Sequence, residues 1–162
     1  MIVAKSFYLS RRLVLVGAGA FVLTAAAGRK RAAPTRVLFI CQFGSVKSPV
    51  AREWLRRRAA ERQISVVVEA RGLTPDEHAS PALVAALKAD GIDPKTDPLR
   101  QFTAKDAAAA DIVILFDKAP AVSALSKTRD WSDLGSMNTG YPAARADLLI
   151  RLDRLLDEIG KR

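Results

Sequence analysis

Two kinds of hydrophobic pattern alternate along the chain. The runs "VLFIC" (Val37–Cys41), "ISVVVEA" (Ile64–Ala70) and "DIVILFD" (Asp111–Asp117) are short and nearly continuous in apolar residues. That is the pattern of strands in a sheet covered on both faces. Between and after them apolar residues recur at helical spacing. Val50, Ala51, Trp54 and Leu55 follow Ser48 and Pro49, an N-cap and first-turn pair that predicts a helix start. "SPALVAALKADG" predicts a second helix, capped by Ser80 and Pro81 and stopped by Gly91. Thr103 and Asp106 have the spacing of a capping box ahead of "AKDAAAA". A short fourth strand is expected near "TRDW". A long amphipathic helix is expected from Pro142, with Leu148, Leu149, Leu152, Leu155, Leu156 and Ile159 on one face and Gly160 at its end. Strands alternating with helices predict an α/β domain: a small parallel sheet of about four strands with helices on both faces. In such a sheet the binding site lies beyond the carboxyl ends of the strands.

The first 32 residues follow a different pattern. Lys5, Arg11 and Arg12 precede the uncharged stretch "LVLVGAGAFVLTAAA" (Leu13–Ala27), which ends in small residues and is followed by "GRKR". This is the pattern of an export signal, and "SRRLVLVG" resembles the twin-arginine type. The other reading is an uncleaved membrane anchor. Fifteen helical residues at about 1.5 Å each span roughly 22 Å, short of a hydrocarbon core of about 30 Å, which favours the signal. Residues 1–32 are therefore read as signal and basic linker, and 33–162 as one domain exported to the periplasm. Contact with the membrane would be only transient, through the signal, or permanent if the anchor stays. "GAGA" within this stretch has Val22 where a dinucleotide fingerprint needs its third glycine.

The chain has 162 residues and a formal net charge of +9. Without Lys5, Arg11 and Arg12, 23 of the 26 cations remain against 17 acids. That excess suits an anionic ligand. It lacks the basic–aromatic interleaving of a nucleic-acid surface, so no nucleic acid is expected as partner. The single cysteine excludes an internal disulfide.

That cysteine, Cys41, ends the first strand, and the loop Gln42, Phe43, Gly44, Ser45, Val46 leads from it to Lys47 and Ser48. A loop between a strand and a helix can turn successive backbone N–H groups toward one point, and the helix N-terminus adds partial positive charge. This arrangement binds tetrahedral oxyanions and stabilises a thiolate at its base. Gly44 allows a backbone curl that a side chain would hinder. Lys47 would bring a cation to the anion, and Ser48 a hydroxyl to the sulfur. A buried structural cysteine beside a helix cap is the plainer alternative.

The segment "VLFICQFGSVKSPVARE" resembles the low-molecular-weight protein tyrosine phosphatase family, whose fold is shared with thioredoxin-coupled arsenate reductases. The family pattern is an apolar strand, Cys, five residues, Arg-Ser, Pro and a helix. Cys41, Ser48 and Pro49 stand in register with it. "VVVEARGLTPDEHASPALVAALKADGID" and "FTAKDAAAADIVILFD" are similar to the segments that follow, so the resemblance covers most of residues 36–117. Lys47 stands where the family has arginine. Arginine grips a phosphoryl group with two parallel hydrogen bonds, whereas lysine offers a point charge. Phe43 and Gly44 replace a glycine and an asparagine. The family's general acid belongs to a late Asp-Pro pair that is missing here. By position Asp133 corresponds to it, with Asp130 as runner-up, while the "DP" pairs at Asp93 and Asp97 come too early.

The resemblance implies a phosphomonoester hydrolase acting on a phosphorylated protein or a small aryl phosphate. Cys41 would form a phosphocysteine, with the loop and Lys47 on the phosphoryl oxygens and Asp133 as acid. No metal or organic cofactor is implied. The alternatives are a non-catalytic oxyanion- or phosphoprotein-binding module and an arsenate reductase. The latter would need an external thiol, because no second cysteine is present. His78, alone in a loop, is given no role. Trp131 and Tyr141 are expected to pack under the last helix.

Overall fold

The computed structural model describes residues 33–76, 81–92, 99–123 and 125–161. The expected signal and linker, the Ser80 cap, His78, Asp93 and Asp97 lie outside the described residues. The elements run β1 (Thr35–Cys41), α1 (Lys47–Glu61), β2 (Val66–Gly72), α2 (Pro81–Ala89), α3 (Ala104–Ala109), β3 (Ile112–Leu115), α4 (Pro120–Ser123), β4 (Thr128–Asp130) and α5 (Tyr141–Ile159). The four strands form one parallel sheet in the order β2-β1-β3-β4. The expected fold class is therefore observed.

The alternation along β1 shows why both faces need cover. Val37, Phe39 and Cys41 pack into one core with residues of α1, α2 and α5. Leu38 and Ile40 point the other way, into a second core with Ala110, Val122 and, at its margin, Phe102 and Leu125. Burying each such side chain contributes about 1.5–3 kcal/mol, and this is what holds β1 at the centre. Phe39 and Phe116 stack at 5.8 Å between ring centroids, and Trp131 closes against both. On α5 the expected face is buried: Leu148, Leu152, Leu155, Leu156 and Ile159 are in the core, and Leu149 packs at its margin. The Thr103–Asp106 capping box forms in both directions.

Three local features differ from expectation. α1 starts one residue before Ser48, with Val46 at the N-cap position and no side-chain cap. Ser48 does not cap it, because its hydroxyl faces inward and is held by tertiary partners. The third strand is shorter than its apolar run. The single turn α4, which the sequence pattern did not suggest, follows it.

A polar cluster joins α5 to the end of α2. The Tyr141 hydroxyl donates to Asp90 Oδ2 at 2.7 Å, and Arg145 Nη1 donates to Asp90 Oδ1. Burial alone would push the Asp90 carboxyl up, but Tyr141, Arg145 and Arg57 together hold it below its ordinary value. Burial and Asp90 push the Tyr141 phenol up to about 12. A carboxyl depressed on folding stabilises the fold above its unfolded pKa, about 3.9, and that contribution is lost as pH falls through the folded value. Tyr141→Phe is accordingly expected to lower stability by about 1 kcal/mol at neutral pH, with the difference from wild type shrinking as pH falls below the ordinary carboxylate value of about 3.9. Urea unfolding on either side of that value checks this.

Candidate active site

Cys41 closes β1 at the carboxyl end of the central strand, 4% exposed. The chain then turns through Gln42–Val46 into α1. Gly44 makes the turn with φ +65° and lies against Gly72 at the end of β2. The loop is braced on the side of the segment after β2. The backbone N–H groups of Leu73, Thr74 and Asp76 donate to the carbonyls of Cys41, Gln42 and Phe43. Gln42 Nε2 donates to Thr74 Oγ1 at 2.7 Å, and Ser45 Oγ donates to Asp76 Oδ2 at 2.6 Å. The carbonyls of Cys41, Gln42 and Phe43 are thus taken up by that segment. Among the described residues, the N–H groups of Gly44, Ser45, Val46 and Lys47 have no acceptor. Four adjacent free donors at a helix start, in a loop that lines one cleft with the thiol, suit an anion cradle. The Gln42 N–H does not join them, because it donates to Asp117 Oδ2 at 2.7 Å.

Ser48 Oγ lies 3.1 Å from Cys41 Sγ and donates to the Arg71 carbonyl at 3.2 Å. A hydroxyl has one proton. While it serves Arg71, the thiol must be the donor to Ser48 Oγ; once the sulfur is ionised, the hydroxyl can turn its proton to the thiolate. Ser48 is thus positioned to support the nucleophile, and this is why it cannot also cap α1. Lys47 Nζ donates to the Leu134 carbonyl at 3.0 Å, which ties the start of α1 to the β4–α5 connection.

These residues line a cleft of about 290 Å³ with Cys41, Gln42, Phe43, Ser45, Val46, Lys47, Asp117, Ser136, Met137 and Asn138 on its walls. Phe43 is exposed at the rim and Met137 is buried. Of the expected site residues, the structure brings together Cys41, Lys47, Ser48 and the loop. It does not bring Asp133 into the cleft. Both Asp133 carboxylate oxygens accept from Arg151, at 2.7 and 2.8 Å, in a separate groove along β4 and α5. Arg151 holds the Asp133 carboxyl below its ordinary value. Asp130 is exposed and accepts from the Ser132 N–H in the same groove. Trp131 and Tyr141 do not line the cleft, as expected. Asp117 was not expected here. The available signal was its place directly after an apolar strand, at the sheet end where such folds bind ligands.

The family profile described as low molecular weight phosphotyrosine protein phosphatase matches residues 36–154. The chain belongs to that family. It is a phosphatase-like hydrolase of the cysteine-based kind, which acts on phosphorylated substrates. No curated protein matches the chain. Among solved structures, the fold is similar to YfkJ from Bacillus subtilis, at 17% identity and a TM-score of 0.70, covering 81% of this chain and 98% of that one. It is also similar to the YwlE arginine phosphatase from Geobacillus stearothermophilus, at 23% identity and a TM-score of 0.64, covering 79% and 94%. The tyrosine phosphatase Wzb from Escherichia coli K30 has 18% identity and a TM-score of 0.64, covering 78% and 99%.

Proposed function

We propose that this protein hydrolyses aryl phosphomonoesters, free or as phosphotyrosine-like groups on proteins, through a phosphocysteine on Cys41. The observation that carries the reading is that Cys41 shares one cleft with a loop whose amides at Gly44, Ser45, Val46 and Lys47 have no acceptor among the described residues, beside the exposed Phe43 ring. Phe43 offers a face for an aromatic leaving group. The cradle binds the phosphoryl oxygens and becomes most favourable as charge shifts onto them during transfer. Sulfur attacks phosphorus, the aryl oxygen departs, and water then releases phosphate and regenerates the thiolate.

Lys47 supplies the cation. Its ammonium carries three protons, of which one serves the Leu134 carbonyl, and it already stands on the cleft wall, so the others are available to the anion. Acid quenching during turnover of p-nitrophenyl phosphate is expected to trap one phosphoryl group on the Cys41 peptide. In the same assay Lys47→Met should lower kcat/KM by about 100-fold, the usual scale for losing one oxyanion donor. Lys47→Arg should retain turnover, because its guanidinium offers a bidentate grip. Stoichiometric phosphate binding with no turnover and no trapped intermediate would support the binding-module reading instead.

A further inference from the structure

The family pattern leaves the acid of this site without an occupant, since the residue that stands in its place is turned elsewhere. Asp133 is clamped by both Nη atoms of Arg151, which in turn is held by Asp147 and lies over the Trp131 ring. Both Asp133 oxygens are occupied by Arg151 in a groove apart from the Cys41 cleft, so this carboxyl does not face the departing oxygen. We infer that Asp117 is the general acid that protonates the departing aryl oxygen and the general base that later deprotonates water. This rests on the phosphatase reading above and deepens it.

Three observations converge on Asp117. Among the described residues it is the only carboxylate on the wall of the Cys41 cleft. The topology places it there: β3 pairs with β1 with Ile40 opposite Leu115, and the Phe116 N–H donates to the Ile40 carbonyl at 2.9 Å. Two residues further along each chain, Gln42 and Asp117 are level. Finally, the carboxyl is anchored. Oδ2 accepts the Gln42 N–H at 2.7 Å, one residue after the nucleophile, so Oδ1 is the oxygen left to carry a proton. The anchor fixes an acid beside the anion cradle on a strand end rather than on a loop, and such placement suits proton transfer.

In the first step the sulfur–phosphorus bond forms and the bond from phosphorus to the aryl oxygen breaks. The Asp117 proton passes to that oxygen, so phenol leaves and Asp117 becomes a carboxylate. In the second step water attacks phosphorus, its proton returns to Asp117, and the electron pair of the sulfur–phosphorus bond returns to Cys41 as thiolate.

The test compares two leaving groups in the full-length protein. p-Nitrophenolate departs readily without a proton, while phenolate needs one. Asp117→Asn keeps an oxygen for the Gln42 N–H and removes the acid. It is expected to lower kcat on phenyl phosphate by about 100-fold or more, and on p-nitrophenyl phosphate by about tenfold or less. Inhibition by inorganic phosphate should stay near wild type, which shows the loop intact. Asp133→Asn should change the ratio between the two substrates by less than about threefold. An equal loss on both substrates with Asp117→Asn would reduce Asp117 to a brace for Gln42, and a selective loss with Asp133→Asn would return the acid to that position. Either overturns the inference while leaving the phosphatase reading in place. Wild-type protein that hydrolyses neither ester and forms no phosphocysteine would remove both.

Discussion

Cys41→Ser is expected to lower hydrolysis of an aryl phosphate by about 10⁵-fold, the scale seen when a covalent nucleophile is removed from an otherwise complete site. The substitution is conservative in everything except nucleophilicity. A serine hydroxyl fills the same 4% exposed position and can keep the contact with Ser48 Oγ that the sulfur makes at 3.1 Å. The amides of Gly44 to Lys47 belong to a loop braced by side-chain bonds from Ser45 to Asp76 and from Gln42 to Thr74, and the sulfur accepts or donates no hydrogen bond in either brace. Phosphate binding and the thermal midpoint should therefore change little. Calorimetric phosphate titration beside the turnover assay separates the two effects. Loss of binding together with turnover would mean that the thiol is part of the cradle's architecture rather than its reagent. Undiminished turnover would place the chemistry elsewhere. Arsenate reduction would demand a second thiol after the first, and the chain has one cysteine.

The elements most legible in the sequence were those fixed by local pattern. Unbroken apolar runs announced the strands of a two-faced parallel sheet. Thr103 and Asp106 announced a capping box, because both of its hydrogen bonds lie within four residues. The loop from Cys41 to Ser48 was legible for the same reason, since a cradle of backbone amides needs only a strand end, a glycine and a helix start. Contacts decided over long separations were not legible. Whether Ser48 caps α1 or faces the sulfur depends on the Arg71 carbonyl, 23 residues away. Whether Asp133 or Asp117 enters the cleft depends on Arg151, 18 residues beyond Asp133, and on the Gln42 N–H, 75 residues before Asp117. α4 has four residues, too few for a helical period to show. The fold was thus readable where it is local and repetitive, and the site where it is backbone. The position of Asp133 was not, because it is set by an ion pair with Arg151 that no local pattern encodes.

Gly44→Ala and Gly91→Ala should differ sharply, and the difference measures what the cradle costs to build. Both glycines have positive φ, +65° and +71°. An alanine in that region loses about 1 kcal/mol at either place. At Gly91, just past α2, an added Cβ meets nothing nearer than Arg57 Nη1 at 3.9 Å. Gly91→Ala should therefore cost only that amount and leave turnover unchanged. At Gly44 the Cβ would lie 2.9 Å from the Gly72 backbone nitrogen and 3.0 Å from its Cα. Neither neighbour is a side chain that can swing away. Gly72 is fixed by its pairing with Cys41, by donating to the Arg100 carbonyl and by accepting from the Phe102 N–H. The loop must move instead, adding about 1–3 kcal/mol of overpacking. Gly44→Ala is expected to lose about 3 kcal/mol in all, a fall of roughly 10 °C in thermal midpoint for a domain of this size. Turnover should fall by more than about tenfold, because the displaced amides no longer converge on the phosphoryl oxygens. Thermal melts and kcat/KM for the two variants provide the comparison. Equal losses at both positions would mean that the approach of Gly44 to Gly72 is not what sets the loop. In that case the cradle would owe its shape to the braces from Ser45 to Asp76 and from Gln42 to Thr74.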